Sequence, residues 1–287
     1  MAKVLIIGGD SYIGQTLHSK LIEQGDTVVA TQRKNSTLNN YLDLSTPLAN
    51  SALLSQPYDA VVFLAAMTNI SQCRDFPQQA QQLNVTNTLE LLNYFSRRNI
   101  FSIFMSTNQV FSCQKPNVHW QTEYQPCSLY GELKAEVEKE IYTQSLNVAI
   151  VRPTKVIGVN FLLFEQWQQT ILSKTPLLAF KDHFIAPISL SFLCKQLIAL
   201  IQTPENITIQ LSGAKDISYY QLAQVFAEQL NLSQANITAI SAVEKGVIPL
   251  PYGSLEPFYG SNIAGFSDKK TESISAVIAD FKRGICA

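Results

Sequence analysis

The chain has 287 residues, of which 46% are hydrophobic and 15% charged, so it can bury a large core, and disorder is excluded as its main state. Lys+Arg of 21 against Asp+Glu of 22 leaves a net charge of −1, without the basic surplus that nucleic-acid binders gather on one face. No apolar run approaches the ~20 residues of a membrane-spanning helix, so neither nucleic acid nor a membrane is an expected partner.

Taken in chain order, residues 4–7 (Val-Leu-Ile-Ile) predict a buried strand rather than a leader, because the apolar stretch is short and runs into Gly8-Gly9. Residues 14–24 predict a helix with Leu17, Leu21 and Ile22 at helical spacing, stopped by Gly25. Strands follow at 27–30 and 59–65, the second nearly all apolar, as expected where both faces of a parallel sheet are covered. A long helix at 77–97, a strand at 101–106, a helix at 128–143 and a strand at 148–152 complete the first half. This alternation predicts an α/β fold: a Rossmann-type doubly wound parallel sheet.

Beyond Arg152 the rhythm changes. Helices are expected at 161–173, 190–202, 218–230 and 273–283, with a strand pair near 177–187 and a strand at 207–211. Ile274, Val277, Ile278 and Phe281 share one face of the last helix. The reading is a dinucleotide-binding domain over 1–155 and a smaller mixed α/β substrate lobe over 156–287, which returns some elements to the first domain. The site is expected in the cleft between them.

The five cysteines, Cys73, Cys113, Cys127, Cys194 and Cys286, are odd in number and form no CxxC pair. That pattern fits reduced thiols in a cytoplasmic enzyme, not a disulfide framework or a metal site. His18, His119 and His183 are scattered and are expected to be solvated or structural.

Gly8-Gly9-Asp10-Ser11-Tyr12-Ile13-Gly14 lies between the first strand and the first helix, the context a dinucleotide turn requires. Glycine at 8 permits a sharp turn, and glycine at 14 lets helix and sheet approach. The helix N-terminus near Ser11 aims N–H groups at a pyrophosphate. The second strand runs into Thr31-Gln32-Arg33-Lys34 with no carboxylate. A 2′-phosphate needs cations there, so NADP is favoured over NAD.

Tyr130 and Lys134 stand four residues apart on a predicted helix and share a face. A free phenol has a pKa near ~10, and a neighbouring ammonium, helped by an oxidised nicotinamide, would lower it. Ser106 and Thr107 close a strand at its carboxyl end, where open α/β sheets bind ligands.

With these residues in place, the chain resembles the extended short-chain dehydrogenases/reductases, in the branch of dTDP-4-dehydrorhamnose reductases and NAD-dependent epimerase-dehydratases. The resemblance rests on the Gly8–Gly14 turn, Asp43-Leu44, Phe63-Leu64-Ala65-Ala66-Met67-Thr68 with Leu83-Asn84, Met105-Ser106-Thr107-Asn108-Gln109-Val110-Phe111, Tyr130 with Lys134, and Val151-Arg152-Pro153-Thr154. Asp182-His183-Phe184 and Gln210-Leu211-Ser212-Gly213 extend it weakly into the second half. It implies that Tyr130 donates a proton to a sugar carbonyl, that Lys134 holds the nicotinamide ribose, and that Thr107 bonds the reacting oxygen. Gly8, Asp10, Ser11, Tyr12, Ile13, Gly14, Arg33, Lys34, Asp43, Leu44, Leu64, Ala65, Ala66 and Ser106 would hold the cofactor. Thr68, Thr107, Asn108, Gln109 and Lys155 would face a nucleotide-linked sugar, and Asn84 would support the backbone. A second copy of the chain is an expected assembly partner.

The chain departs from that pattern in three places. Ser11 replaces the middle glycine of the turn, Asn108-Gln109 replaces the usual Asp-Tyr, and Lys155 replaces an aromatic near the sugar. Three functions stay open at this point: an NADP-dependent reductase of a nucleotide-linked keto sugar, an epimerase or dehydratase using the same site, and a non-catalytic cofactor-binding regulatory subunit.

Overall fold

The computed structural model describes residues 1–33, 40–45, 51–232, 235–259 and 271–283. In chain order its first half contains β1 (Lys3–Ile7), α1 (Tyr12–Glu23), β2 (Thr27–Ala30), α2 (Ser51–Leu54), β3 (Ala60–Phe63), α3 (Ile70–Asp75), α4 (Pro77–Gln81), α5 (Asn87–Arg97), β4 (Phe101–Met105), α6 (Leu129–Thr143) and β5 (Val148–Pro153). The second half contains β6 (Val156–Ile157), α7 (Leu162–Leu172), β7 (Leu177–Phe180), β8 (Phe184–Ile185), β9 (Ile188–Ser189), α8 (Leu190–Gln202) and β10 (Thr208–Gly213). It ends with β11 (Ile217–Ser218), α9 (Tyr219–Gln229), β12 (Ile237–Ile240), β13 (Thr271–Glu272) and α10 (Ile274–Arg283).

Among the described residues the main sheet has the order β13-β10-β5-β4-β3-β1-β2, and every neighbouring pair is parallel. Its strands are apolar at nearly every position because both faces are covered. Leu5, Ile7, Val61, Phe63 and Ile150 pack with α5 and α6 on one side. Val4, Ile6, Val62, Ile103 and Val151 pack with α1 and α8 on the other. The alternation along each strand is the two-residue period of a pleated backbone.

Three expectations change. Ile22 is exposed although Leu17 and Leu21 are buried; at 100° per residue it points well away from Leu17. The helix expected over 77–97 is interrupted by a π turn at Gln82–Thr86. The strands near 177–187 do not pair with each other: β7 pairs with β12 in parallel, and β8 pairs with β11 antiparallel.

The second core forms where α7, α9 and α10 meet β7. Its centre is aromatic: the Phe164 ring lies 4.5 Å from Phe226 and 5.2 Å from Phe281, centroid to centroid. Ile274, Val277, Ile278 and Phe281 are buried along α10, as their spacing requires. No helix among the described residues is long and apolar enough to cross a membrane. Phe226 is fully buried, so Phe226→Ala should lower stability by about 3–5 kcal/mol in equilibrium urea unfolding. A loss well under ~1 kcal/mol would show that this aromatic centre does not hold the lobe.

Candidate active site

Successive parallel strands of the main sheet end along one edge, and their carboxyl ends open into a cavity of about 780 Å³. That is the upper part of the roughly 300–1,000 Å³ range of small-molecule sites. Gly8 follows β1, Leu64, Ala65 and Ala66 follow β3, Ser106 to Gln109 follow β4, and Pro153 to Lys155 close β5. Tyr130 and Lys134 enter from α6, while Phe161, His183 and Tyr219 enter from the second lobe.

The Gly8–Gly14 turn is built for close approach. Gly8 has φ +90, and a Cβ there would stand 2.6 Å from the Ala65 nitrogen. A Cβ on Gly14 would stand 2.4 Å from the Gly8 carbonyl oxygen, so a side chain would push α1 off the turn. Ser11 caps α1: its Oγ accepts from the Gly14 N–H at 3.1 Å. The substitution of serine for the middle glycine therefore closes the turn with a hydrogen bond. The Gly8 N–H donates to Thr31 Oγ1 at 2.9 Å, tying the turn to the end of β2. These features fit a dinucleotide pyrophosphate at the α1 N-terminus.

Arg33 is exposed and lines the same cavity with Asp43 and Leu44. Lys34 lies outside the described residues. The Asp43 carboxyl sits below its ordinary pKa: burial pushes it up, but hydrogen bonds from Ser45 and the charge of Arg33 outweigh that. Among the expected cofactor residues that are described, Gly14 alone does not face the cavity, since it lies beneath the turn.

Ser128 caps α6, its Oγ accepting from the Gly131 N–H at 3.2 Å and donating to Gln109 Oε1 at 3.0 Å. Tyr130 and Lys134 both face inward as their four-residue spacing requires. The Lys134 ammonium donates to the Met105 carbonyl at 2.7 Å and lies 4.5 Å from the Phe104 ring centre. Burial brings its pKa down to about 8, and Glu138 partly restores it. Burial drives the Tyr130 phenol above the ordinary tyrosine value, with Cys73 adding to the rise, so the phenol is protonated at neutral pH.

Thr107 is buried, and its Oγ1 accepts from the Gln109 N–H at 3.2 Å. Asn108 Nδ2 donates to the Gly253 carbonyl at 2.9 Å, so its amide is used to fasten a loop of the second lobe. Asp216 holds that loop from the other side, accepting from the N–H groups of Gly253 at 2.6 Å and Ser254 at 2.9 Å. Asn84 accepts from the Met67 N–H at 2.8 Å and donates to its carbonyl at 3.0 Å. It sits in the π turn, where the widened helix turns its amide to the strand end that carries Ala66 and Thr68.

Below the cavity lies a network that the motifs did not announce. Glu138, fully buried, accepts from Arg152 Nη2 at 2.5 Å, from Arg152 Nε at 3.0 Å, from the Tyr124 hydroxyl at 2.8 Å and from the Ser106 hydroxyl. Arg152 also donates to the Trp120 carbonyl at 2.7 Å. The signal was in the spacing: Glu138 stands four residues beyond Lys134 on the Tyr130 face of α6. His183 was expected to be solvated or structural, yet it lines the cavity.

Residues 2–251 match the family model described as RmlD substrate binding domain. The chain belongs to that family. It is thereby a member of the extended short-chain dehydrogenases/reductases, the group of dTDP-4-dehydrorhamnose reductases and NAD-dependent epimerase-dehydratases. The dTDP-4-dehydrorhamnose reductase of Bacillus anthracis str. Ames, solved in complex with NADP, superposes with a TM-score of 0.83 at 18% identity, covering 98% of this chain and 99% of that one. The RMD protein of Pseudomonas aeruginosa, solved with NADPH, gives 0.74 at 16% identity over 99% of this chain and 100% of that one. Among curated relatives, methionine adenosyltransferase 2 subunit beta of Bos taurus is 25% identical over 196 residues, which are 65% of this chain and 58% of that protein. The dTDP-4-dehydrorhamnose reductase of Aggregatibacter actinomycetemcomitans is 26% identical over 160 residues, 55% of this chain and 53% of that protein.

Removing Glu138 leaves Arg152 charged and buried, so Glu138→Ala should cost about 3–5 kcal/mol in urea unfolding. Replacing both partners, Glu138→Leu with Arg152→Met, should cost less than Glu138→Ala alone. Strictly additive losses among Glu138→Leu, Arg152→Met and the double variant would show that the two side chains are not energetically coupled.

Proposed function

We propose that the protein is an NADP-dependent reductase of a nucleotide-linked keto sugar, with Tyr130 as proton donor. The observation that carries this reading is the buried Tyr130, held protonated in the cavity that Thr107 and Lys134 also line. When bound, NADPH supplies a hydride to the sugar carbonyl carbon. Tyr130 gives its phenolic proton to the carbonyl oxygen, and the Thr107 hydroxyl hydrogen-bonds that oxygen as it gains charge. Lys134 holds the nicotinamide ribose from the floor of the cavity. The α1 N-terminus receives the pyrophosphate, and Asp43 and Leu44 border the adenine. Thr68 and Gln109 line the sugar side of the same space.

NADP is preferred on the strength of Arg33, which lines the cavity beyond β2 where an acid would select NAD. A second reading, a cofactor-binding regulatory subunit, draws on the bovine relative, whose name is that of a subunit beta. Retention of Thr107, Tyr130 and Lys134 together in one cavity favours catalysis over it. An epimerase or dehydratase would return the hydride. The dehydratase is disfavoured because Asn108 and Gln109 add no acid–base pair beside Thr107.

Arg33→Ala should weaken NADPH by roughly 10- to 150-fold in calorimetric titration, the worth of a charge-assisted phosphate contact, and leave NADH almost unchanged. Equal affinity of the wild type for both cofactors would overturn the NADP preference. Tyr130→Phe keeps the ring and its packing, so folding and NADPH binding should survive while single-turnover oxidation of NADPH falls by about 10²–10⁴-fold. The readout is NADPH absorbance against a panel of nucleotide-linked keto sugars. Turnover by Tyr130→Phe near the wild-type rate would remove the tyrosine mechanism, and a wild type inert across the panel would favour the regulatory reading.

A further inference from the structure

Lys155 follows β5 directly, on the strand whose Pro153 and Thr154 line the cavity shared by Thr107 and Tyr130. The residue is exposed, and desolvation by the surrounding protein draws its pKa below the ordinary lysine value. Among the described residues its ammonium forms no salt bridge and no hydrogen bond, and the Phe161 ring centre lies 5.6 Å from the nitrogen. A cation over an aromatic face gains only a weak attraction, which leaves its hydrogen-bonding capacity unused.

Two polar side chains of the second lobe converge on the same place. Burial draws the His183 pKa below its ordinary value; the Asp182 charge opposes this, and Lys155 adds a smaller lowering. Its Nδ1 is buried and has no hydrogen-bond partner among the described residues. The adjacent Asp182 carboxylate accepts from Ser241 Oγ and the Ala242 N–H, both at 2.7 Å. Tyr219 lies with its ring 5.5 Å from His183, and burial raises its hydroxyl to about 12, so it remains a donor at neutral pH. The Lys155 ammonium, the His183 imidazole and the Tyr219 phenol thus belong to side chains lining one cavity. A neutral sugar would leave the ammonium unpaired, whereas an anion would pair with it and with both neighbours.

We propose that Lys155, His183 and Tyr219 form a subsite for an anionic oxygen group of the nucleotide-linked substrate. The chemistry is that of a carboxylate on the sugar or of the nucleoside diphosphate. The inference rests on the reading above that this cavity takes a nucleotide sugar.

The test is calorimetric titration of the NADP-loaded protein with UDP, UDP-glucose and UDP-glucuronate, and with their dTDP counterparts. Lys155→Met, Lys155→Arg and the wild type are compared, with NADP affinity as the check on folding. For a sugar carboxylate, Lys155→Met should weaken the glucuronate conjugates alone by roughly 10- to 100-fold. For the diphosphate, it should weaken all three ligands of a series alike. In either case Lys155→Arg, which keeps the charge, should recover most of the loss. Binding by Lys155→Met within about twofold of wild type for every ligand would overturn the subsite while leaving the nucleotide-sugar reading intact. A wild type that binds NADP but none of the six ligands would remove that reading and the subsite with it.

Discussion

The buried pair of Glu138 and Arg152 is the point on which the site depends. Glu138 belongs to α6, which carries Tyr130 and Lys134; Arg152 belongs to β5, which leads to Pro153, Thr154 and Lys155; Ser106, bonded to Glu138, ends β4 beside Thr107. Three elements that send residues into the cavity, α6, β4 and β5, are joined through one carboxylate. Charges sealed from water are expensive unless every hydrogen-bonding position is used. Here Tyr124, Trp120, Gln210 and Ser106 fill the positions the ion pair leaves open. Such a network contributes less to net stability than an apolar core of the same volume would. What it supplies is register, because a slip of α6 against β4 or β5 would break several short hydrogen bonds together.

Above that anchor, the cavity sorts its ionisable groups by burial. Tyr130 is kept protonated and Lys134 is brought near neutrality by the same dry surroundings, while Lys155 and Arg33 stand where solvent reaches them. Tyr130 and Lys134 are thus shielded from water, while Arg33 and Lys155 lie along the open wall. Asn108 and Gln109 belong to the supporting structure: one fastens residue 253, and the other braces the Ser128 cap of α6.

Much of this was legible in the residues because it is periodic or local. The strands at 4–7 and 60–63 are apolar without interruption, which only a sheet covered on both faces requires, and Tyr130 and Lys134 are related by one helical turn. The glycines at 8 and 14 were readable because steric exclusion acts between neighbours in sequence. What escaped is non-local. Glu138 looks like an ordinary charge on a helix until Arg152, from another strand, is placed against it. His183 and Tyr219 meet Lys155 only through the packing of the second lobe. The π turn at 82–86 has no compositional mark, since its residues would sit equally well in a regular helix, and it follows from the bonds that Asn84 makes to Met67. The strands near 177–187 have the pattern of a hairpin, but their backbone groups are taken by β12 and β11.

The path of the chain between sheet and lobe has a mechanical consequence. The backbone leaves the main sheet after β5, returns to it for β10, leaves again for α9 and β12, and comes back for β13. A hinge works when few connections cross it, so that a handful of backbone angles can absorb the rotation. Here repeated crossings, with β10 hydrogen-bonded directly to β5, brace the lobe against rigid-body swinging. The segment 243–253 is pinned at its end by Asn108 and Asp216, and its Leu250 lines the cavity wall. Changes of substrate preference in such an architecture arise by exchanging side chains on a fixed wall, one residue at a time, rather than by altering how far two halves close.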